Sequence, residues 1–128
     1  MAEKIRKYIN LPGRRSNLPF NDAVLVNDTL YVSGRLGFRP GTTEVPKDPA
    51  EEARYMLDGV RAVLAEAGMQ MNDLVYVQLF CSDVSLFDTF NGVYRQYFSA
   101  DLPARAFIGS GPLLFGARFE IIGIAVRG

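Results

Sequence analysis

The run from Arg118 to Val126 reads as a strand, and it is apolar on both of the faces that a strand presents. Successive side chains of a strand point to opposite sides, so Phe119, Ile121, Gly123 and Ala125 fall on one face and Glu120, Ile122, Ile124 and Val126 on the other. Helical periodicity occurs in two places upstream, and two helices cover one face of a small sheet. The second face needs another cover. The simplest is the same face of further copies of the chain, so the strand predicts a closed homo-oligomer.

The other elements read around that strand. Ala23-Val24-Leu25-Val26 and Leu30-Tyr31-Val32-Ser33 are two strands about a tight turn at Asn27-Asp28, residues that tolerate the positive φ of hairpin turns. Gly34, Gly37, Pro40 and Gly41 then break regular structure. Asp48 suits a helix cap, Pro49 the first helical position, and Glu51 is placed to reach back to unpaired N–H groups. Ala53, Met56, Leu57, Val60, Val63, Leu64 and Ala67 recur at helical spacing up to Gly68, which suits a left-handed stop. Leu74 to Phe80 is rich in β-formers and too short for a good helix. Ser85, with Asp88 three positions on, is expected to cap a second helix whose stripe is Phe87, Phe90, Val93, Tyr94, Tyr97 and Phe98. Ala106 to Ile108 is a short strand. Gly109 to Gly116 is a glycine-rich loop that lacks the lysine and following helix of a phosphate cradle. The order is β-β-α-β-α-β-β in one domain spanning 1–128, an α+β fold with both helices on one face of the sheet.

Composition removes several kinds of chemistry. With 14 Lys+Arg against 14 Asp+Glu the chain has no net charge to attract a polyanion, so nucleic acid is not an expected partner. It holds no histidine and one cysteine, Cys81. That excludes an intrachain disulfide, a Ser-His or Cys-His pair and a structural zinc site. Met1 to Asn10 alternates charged and apolar residues, unlike a signal peptide, and no run approaches the roughly 20 apolar residues of a membrane helix. The expectation is a cytoplasmic protein with a reduced thiol.

Four features carry candidate chemistry. Glu120 shares its face with large aliphatic residues and needs a cation, a donor or a water. Arg105, after Leu102-Pro103-Ala104 at the mouth of a strand, offers a planar fork to a carboxylate. That carboxylate is either Glu120's, in a structural ion pair between strands or subunits, or a substrate's. Asn91 lies in the seam of Phe87, Tyr94 and Phe98, where its amide needs partners, a neighbouring loop being the plain solution. Ser33-Gly34 marks either a turn or a strand end where a ligand approaches the backbone. The Tyr and Phe stripe of the second helix reads as core.

Taken in order and spacing, the chain resembles the RidA family, also called YjgF or L-PSP, nearly end to end. The matching stretches are Leu30-Tyr31-Val32-Ser33-Gly34, the helix from Ala50 to Ala67 with Gly68, Phe80 through Asp83, Phe90-Asn91-Gly92-Val93-Tyr94 with Tyr97-Phe98, Pro103-Ala104-Arg105, and Phe119-Glu120-Ile121 leading into Ile124-Ala125-Val126. The resemblance implies a chorismate mutase-like fold and a homotrimer whose sheets form a central barrel, with ligand sites between subunits. It also implies hydrolysis of reactive enamines and imines, such as 2-aminoacrylate, to 2-keto acids and ammonia without metal or cofactor. Arg105 would clamp the substrate carboxylate, Glu120 would orient water and shuttle protons, and Ser33, Gly34 and Asn91 would line the site.

Three departures bear on the substrate. Pro19-Phe20-Asn21-Asp22-Ala23 stands where the family usually reads Pro-Tyr-Ser-Gln-Ala, so a site tyrosine is replaced by Phe20. Arg35 replaces the glutamine after Ser33-Gly34, and Phe107 stands where a small residue or cysteine usually faces the pocket. A small carboxylate imine is the leading substrate. Alternatives are an aminomuconate-type diacid and a non-catalytic, metabolite-sensing role for Arg105. Endoribonuclease or translation-inhibitor activity ranks last, because the chain offers neither a basic track nor histidines.

Overall fold

The computed structural model describes residues 5–15 and 17–128. Strands β1 (Arg6–Ile9), β2 (Ala23–Val26), β3 (Thr29–Leu36), β4 (Leu74–Cys81), β5 (Ala104–Gly109) and β6 (Phe119–Val126) form one sheet, in the order β1-β2-β3-β6-β4-β5. Helices α1 (Pro49–Glu66) and α2 (Phe87–Tyr94) pack on one side of it. Neighbouring strands are antiparallel except for the β4–β5 pair, whose parallel connection passes through α2.

Local chemistry places most boundaries where the sequence puts them. Asn27 takes φ +53° in the β2–β3 turn, and Val26 pairs with Thr29 across it. The Asp48 carboxylate accepts the Ala50 N–H at 3.1 Å, Pro49 opens α1, and Gly68 leaves it at φ +72°. Glu51 does not reach back to the helix start. Its carboxylate accepts instead from the Arg39 guanidinium at 3.1 Å and the Tyr55 hydroxyl at 2.9 Å, a charge-assisted alternative to capping.

The second helix differs more. Ser85 does not cap it: the Asp83 carboxylate takes both the Ser85 N–H at 3.0 Å and the Ser85 hydroxyl at 2.7 Å and so caps a 3-10 turn, while α2 itself starts after Leu86 without a side-chain cap. That turn, over Val84–Leu86, runs into α2, which stops at Tyr94 before another 3-10 turn at Arg95–Tyr97. Strand β1 is an addition to the expected order. The alternating charged and apolar residues of Arg6–Ile9 suit an edge strand wetted on both sides; residues 1–4 lie outside the described residues.

The core lies between the helices and the face of the sheet that carries Leu30, Val32, Val77, Leu79, Phe119 and Ile121. Met56, Leu57, Val60 and Leu64 of α1 and Phe90 of α2 close it. The Phe90 ring is fully buried, 5.0 Å from that of Phe119, so its truncation to alanine costs about 3–5 kcal/mol. Strand β6 behaves as its two-faced pattern demands. Phe119, Ile121 and Ala125 are buried against the helices, while Glu120, Ile122 and Ile124 are half-covered on the other face. That face has no helix over it. Register lines run across it through Tyr8, Val24, Tyr31, Ile124 and Tyr76, and through Leu36, Glu120 and Phe80. Among the described residues no helix is long and apolar enough to cross a membrane.

Candidate functional site

Side chains paired across a ladder share a face, so the strand register decides which candidate residues can meet. Arg105 pairs with Val77 and Phe107 with Leu79, and Val77 and Leu79 are fully buried beneath the helices. Glu120 pairs with Phe80 and Leu36, one residue out of phase with that core face. Arg105 and Glu120 therefore stand on opposite faces of the sheet within one chain. A structural ion pair between these strands, one of the sequence's two readings, does not form.

Around Arg105 the geometry is that of a held cation. The Asn91 side-chain carbonyl, on a residue only 7% exposed, accepts from one guanidinium nitrogen at 2.8 Å. Thus Asn91 partners Arg105 and not a loop. The Arg105 guanidinium carbon lies 4.9 Å from the Tyr94 ring centroid, 5.5 Å from that of Phe107 and 5.7 Å from that of Phe87. Phe107 meets Phe87 edge-to-face at 5.0 Å, so its ring walls the arginine and does not float in open space. Among the described residues no carboxylate lies within ion-pair distance of Arg105. Most of its donor fork is uncommitted. Tyr94, read from the sequence as plain core, adds a buried hydroxyl without a partner among the described residues, and burial pushes its pKa up to about 12.

On the opposite face a β-bulge shapes the second group. Val32 pairs with Gly123 and Arg35 with Ile121, so Ser33 and Gly34 together oppose Ile122. The bulge brings Gly34 against Glu120, where a Cβ would stand 2.6 Å from the Glu120 Oε2. A side chain there would displace that carboxylate. Ser33 donates its hydroxyl to the Asn21 carbonyl at 2.5 Å, tying the bulge to the segment that carries Phe20. Phe20 is 48% exposed beneath the Arg14 guanidinium, 5.6 Å from its ring. Burial pushes the Glu120 carboxyl above the ordinary glutamate range.

Arg35 lies apart from both groups. It leans on α1 at Gly59, where a Cβ would come within 2.5 Å of its Nε, and approaches the Asp22 carboxylate at 3.6 Å. Asp22 is buried, 3.3 Å from Arg14 Nε, and accepts the Leu11 N–H at 2.9 Å. The sequence departures at 22 and 35 thus face each other.

Two grooves of the single chain lie away from both groups. A groove of about 450 Å³ lies between Lys7, Leu25, Glu66 and Arg127, and another of about 340 Å³ lies beside Ser110 to Leu113. Neither is lined by Arg105 or Glu120. Among the described residues no cluster of metal-ligating side chains occurs. Glu52, which sequence reasoning passed over, is fully buried and binds the start of β6. Its signal was available, since a carboxylate at 52 falls on the apolar stripe of Met56, Val60 and Val63.

The chain is similar to known proteins over nearly its whole length. The family model described as Endoribonuclease L-PSP matches residues 14–127. The 2-iminobutanoate/2-iminopropanoate deaminase of Bos taurus is 38% identical over 130 residues, covering all of this chain and 95% of the relative. The crystal structure of the YjgF gene product from E. coli superposes with a TM-score of 0.88 at 32% identity, over 95% of this chain and 99% of that one. That of E. coli TdcF with bound serine gives 0.87 at 31%, over the same shares. The fold of two helices on a mixed sheet, the bulge at Ser33-Gly34 and these full-length matches lead to one conclusion: the chain belongs to the Endoribonuclease L-PSP family, also known as RidA/YjgF.

Proposed function

We propose that this protein hydrolyses small 2-imino acids, or their enamine tautomers, to 2-keto acids and ammonia, at sites completed between the subunits of a homotrimer. The observation that carries this reading is Arg105. It is a cation fixed by Asn91 and three aromatic rings, with most of its donor fork free for a carboxylate. The names of the full-length relatives specify the same chemistry, and TdcF holds serine, a small amino acid. Because Arg105 and Glu120 face opposite sides of one sheet, a site using both takes them from different copies. The uncovered face, with Tyr31 and Val126 exposed and Ile122 and Ile124 half-covered, supplies the apolar surface that an oligomer would bury.

The chemistry asks little of the protein, since an imine carbon is already electrophilic. Arg105 binds the substrate carboxylate bidentately and sets the imine carbon in place. Glu120, ionised, accepts a proton from a water as the water oxygen bonds to that carbon. The imine nitrogen takes up a proton from solvent and the intermediate is a neutral carbinolamine. The Glu120 proton then passes to the amino nitrogen, the C–N bond breaks and ammonia leaves. The hydroxyl proton is released to solvent as the keto acid forms, and Glu120 is ionised again. A carboxyl raised by burial is suited to both halves of this exchange. Gly34 provides the space beside it, Ser33 holds the bulge, and Phe20 and Phe107 are apolar walls.

The test generates 2-iminopropanoate with an amino-acid oxidase and follows its decay by semicarbazide trapping. Wild type accelerates hydrolysis and Arg105→Ala does not, although it folds and assembles normally. Equal acceleration by both proteins refutes the assignment of Arg105. Decay at the spontaneous rate with wild type refutes the imine-hydrolase reading.

A further inference from the structure

We infer that Glu52 is a positioning residue for Glu120, acting from the far side of the sheet through the backbone at the start of β6. Glu52 belongs to α1 and has no exposed surface. One of its carboxylate oxygens accepts the backbone N–H groups of Arg118 at 2.7 Å and Phe119 at 3.2 Å. The other accepts from the Arg118 guanidinium at 2.7 Å. That guanidinium also donates to the carbonyls of Pro46 at 2.9 Å and Lys47 at 2.7 Å, tying the strand entry to the segment before α1. The two residues that precede Glu120 are therefore fixed at their backbone by one buried anion.

The neighbouring strand is held by the same residue. Leu36 of β3 pairs with Glu120, and Gly37 follows it. A Cβ on Gly37 would fall 2.1 Å from the Glu52 carbonyl oxygen, so the chain leaves β3 in direct contact with the α1 backbone at 52. Glu52 thus sets the strand that carries Glu120, by its carboxylate, and one of the two strands beside it, by its backbone. Glu120 itself makes no side-chain hydrogen bond or ion pair among the described residues, and desolvation is what shifts its carboxyl. Its position is given by the backbone beneath it and by the space at Gly34. Arg105 and Asn91, which face the substrate carboxylate, stand on β5 and α2 and take nothing from Glu52.

This inference rests on the imine-hydrolase reading, in which Glu120 moves protons while Arg105 binds. It predicts a separation that a merely structural role would not give. Both Glu52 oxygens face donors, so Glu52→Gln sets an amide N–H against one of them, and Arg118→Leu leaves the carboxylate with its backbone donors alone. In Glu52→Gln/Arg118→Leu the amide can point toward the Pro46 carbonyl that the guanidinium has left. Turnover of 2-iminopropanoate and affinity for 2-oxobutanoate are measured for wild type, the two single variants and the double variant, with circular dichroism to confirm folding. The single variants are expected to lose about tenfold to hundredfold in turnover, as a misplacement of about 1 Å does, with binding of the keto acid within about twofold of wild type. The double variant is expected to recover most of the loss. Folded single variants with unchanged turnover, or with turnover and binding lost together, overturn the inference while leaving the wild-type activity standing. A wild type without turnover overturns the imine-hydrolase reading itself, and the role assigned to Glu52 with it.

Discussion

Replacing Asn91 with aspartate changes a single atom's chemistry and separates support from catalysis. The Asn91 side-chain carbonyl accepts from Arg105 at 2.8 Å, and an aspartate of the same shape can accept equally well. A purely structural contact would be preserved or strengthened, since hydrogen bonds between charged groups exceed those to neutral ones by roughly twofold. In the account given above the change is harmful, because a fixed anion would then share Arg105 with the substrate carboxylate. A carboxylate bound across the guanidinium would lie about 7 Å from the new one, and at an effective dielectric near 20 their repulsion is about 2 kcal/mol. That corresponds to a loss of roughly thirtyfold in affinity. Calorimetric titration with 2-oxobutanoate measures it directly, with thermal denaturation as the control for folding. Asn91→Asp binding the keto acid as tightly as wild type would refute the claim that Arg105 is held free for a ligand.

Other consequences are equally accessible. Gly34→Ala places a Cβ 2.6 Å from where the Glu120 Oε2 now sits, so the carboxylate must move by about 1 Å; turnover should fall about a hundredfold, with keto-acid binding retained. Loss of binding to the same degree would contradict the division between Arg105 and Glu120. The Glu120 carboxyl is raised by burial and must be ionised to accept a proton, so catalysed hydrolysis should fall as pH drops through a value above the ordinary glutamate range. Its pH–rate profile, corrected for spontaneous decay, should lose that limb together with the activity in Glu120→Gln. Ile124→Lys puts a charge on the uncovered face of the sheet, so if that face closes the proposed trimer, light scattering should find the variant monomeric.

Much of the fold was legible because it is written in local periodicity. The α1 stripe, its Asp48 cap, the Asn27 turn and the two-faced β6 pattern each depend on a few consecutive residues, and each recurs in the structure. Strand β1 was illegible for a related reason: an edge strand wetted on both sides shows alternation without an apolar face. Ser85 does not cap α2 because its N–H and hydroxyl both go to the Asp83 carboxylate, which opens a 3-10 turn that the sequence pattern does not separate from the helix.

The site shows the same division. Arg105, Asn91, Glu120 and Ser33-Gly34 are chemically conspicuous in the sequence. Their grouping is not, because a strand's period of two gives faces only within that strand. The pairing of β4 with both β5 and β6 sets Arg105 under α2 and Glu120 on the open face. The charged pair of Asp22 and Arg35 needed coordinates too, since separate sequence differences reveal no contact. Glu52 was hidden beside Glu51, an identical side chain one residue away that points to Arg39 and Tyr55.

The central claim is that Arg105 and Glu120 act together from different copies of the chain. Arg105→Ala and Glu120→Gln, each inactive alone, can be unfolded together in equal amounts and refolded as mixed trimers. If each site joins the Arg105 of one subunit to the Glu120 of its neighbour, about a quarter of the sites in a random mixture are intact. The account predicts that about a quarter of the wild-type imine hydrolysis returns on mixing. A mixture that assembles into mixed trimers and stays inactive would contradict it.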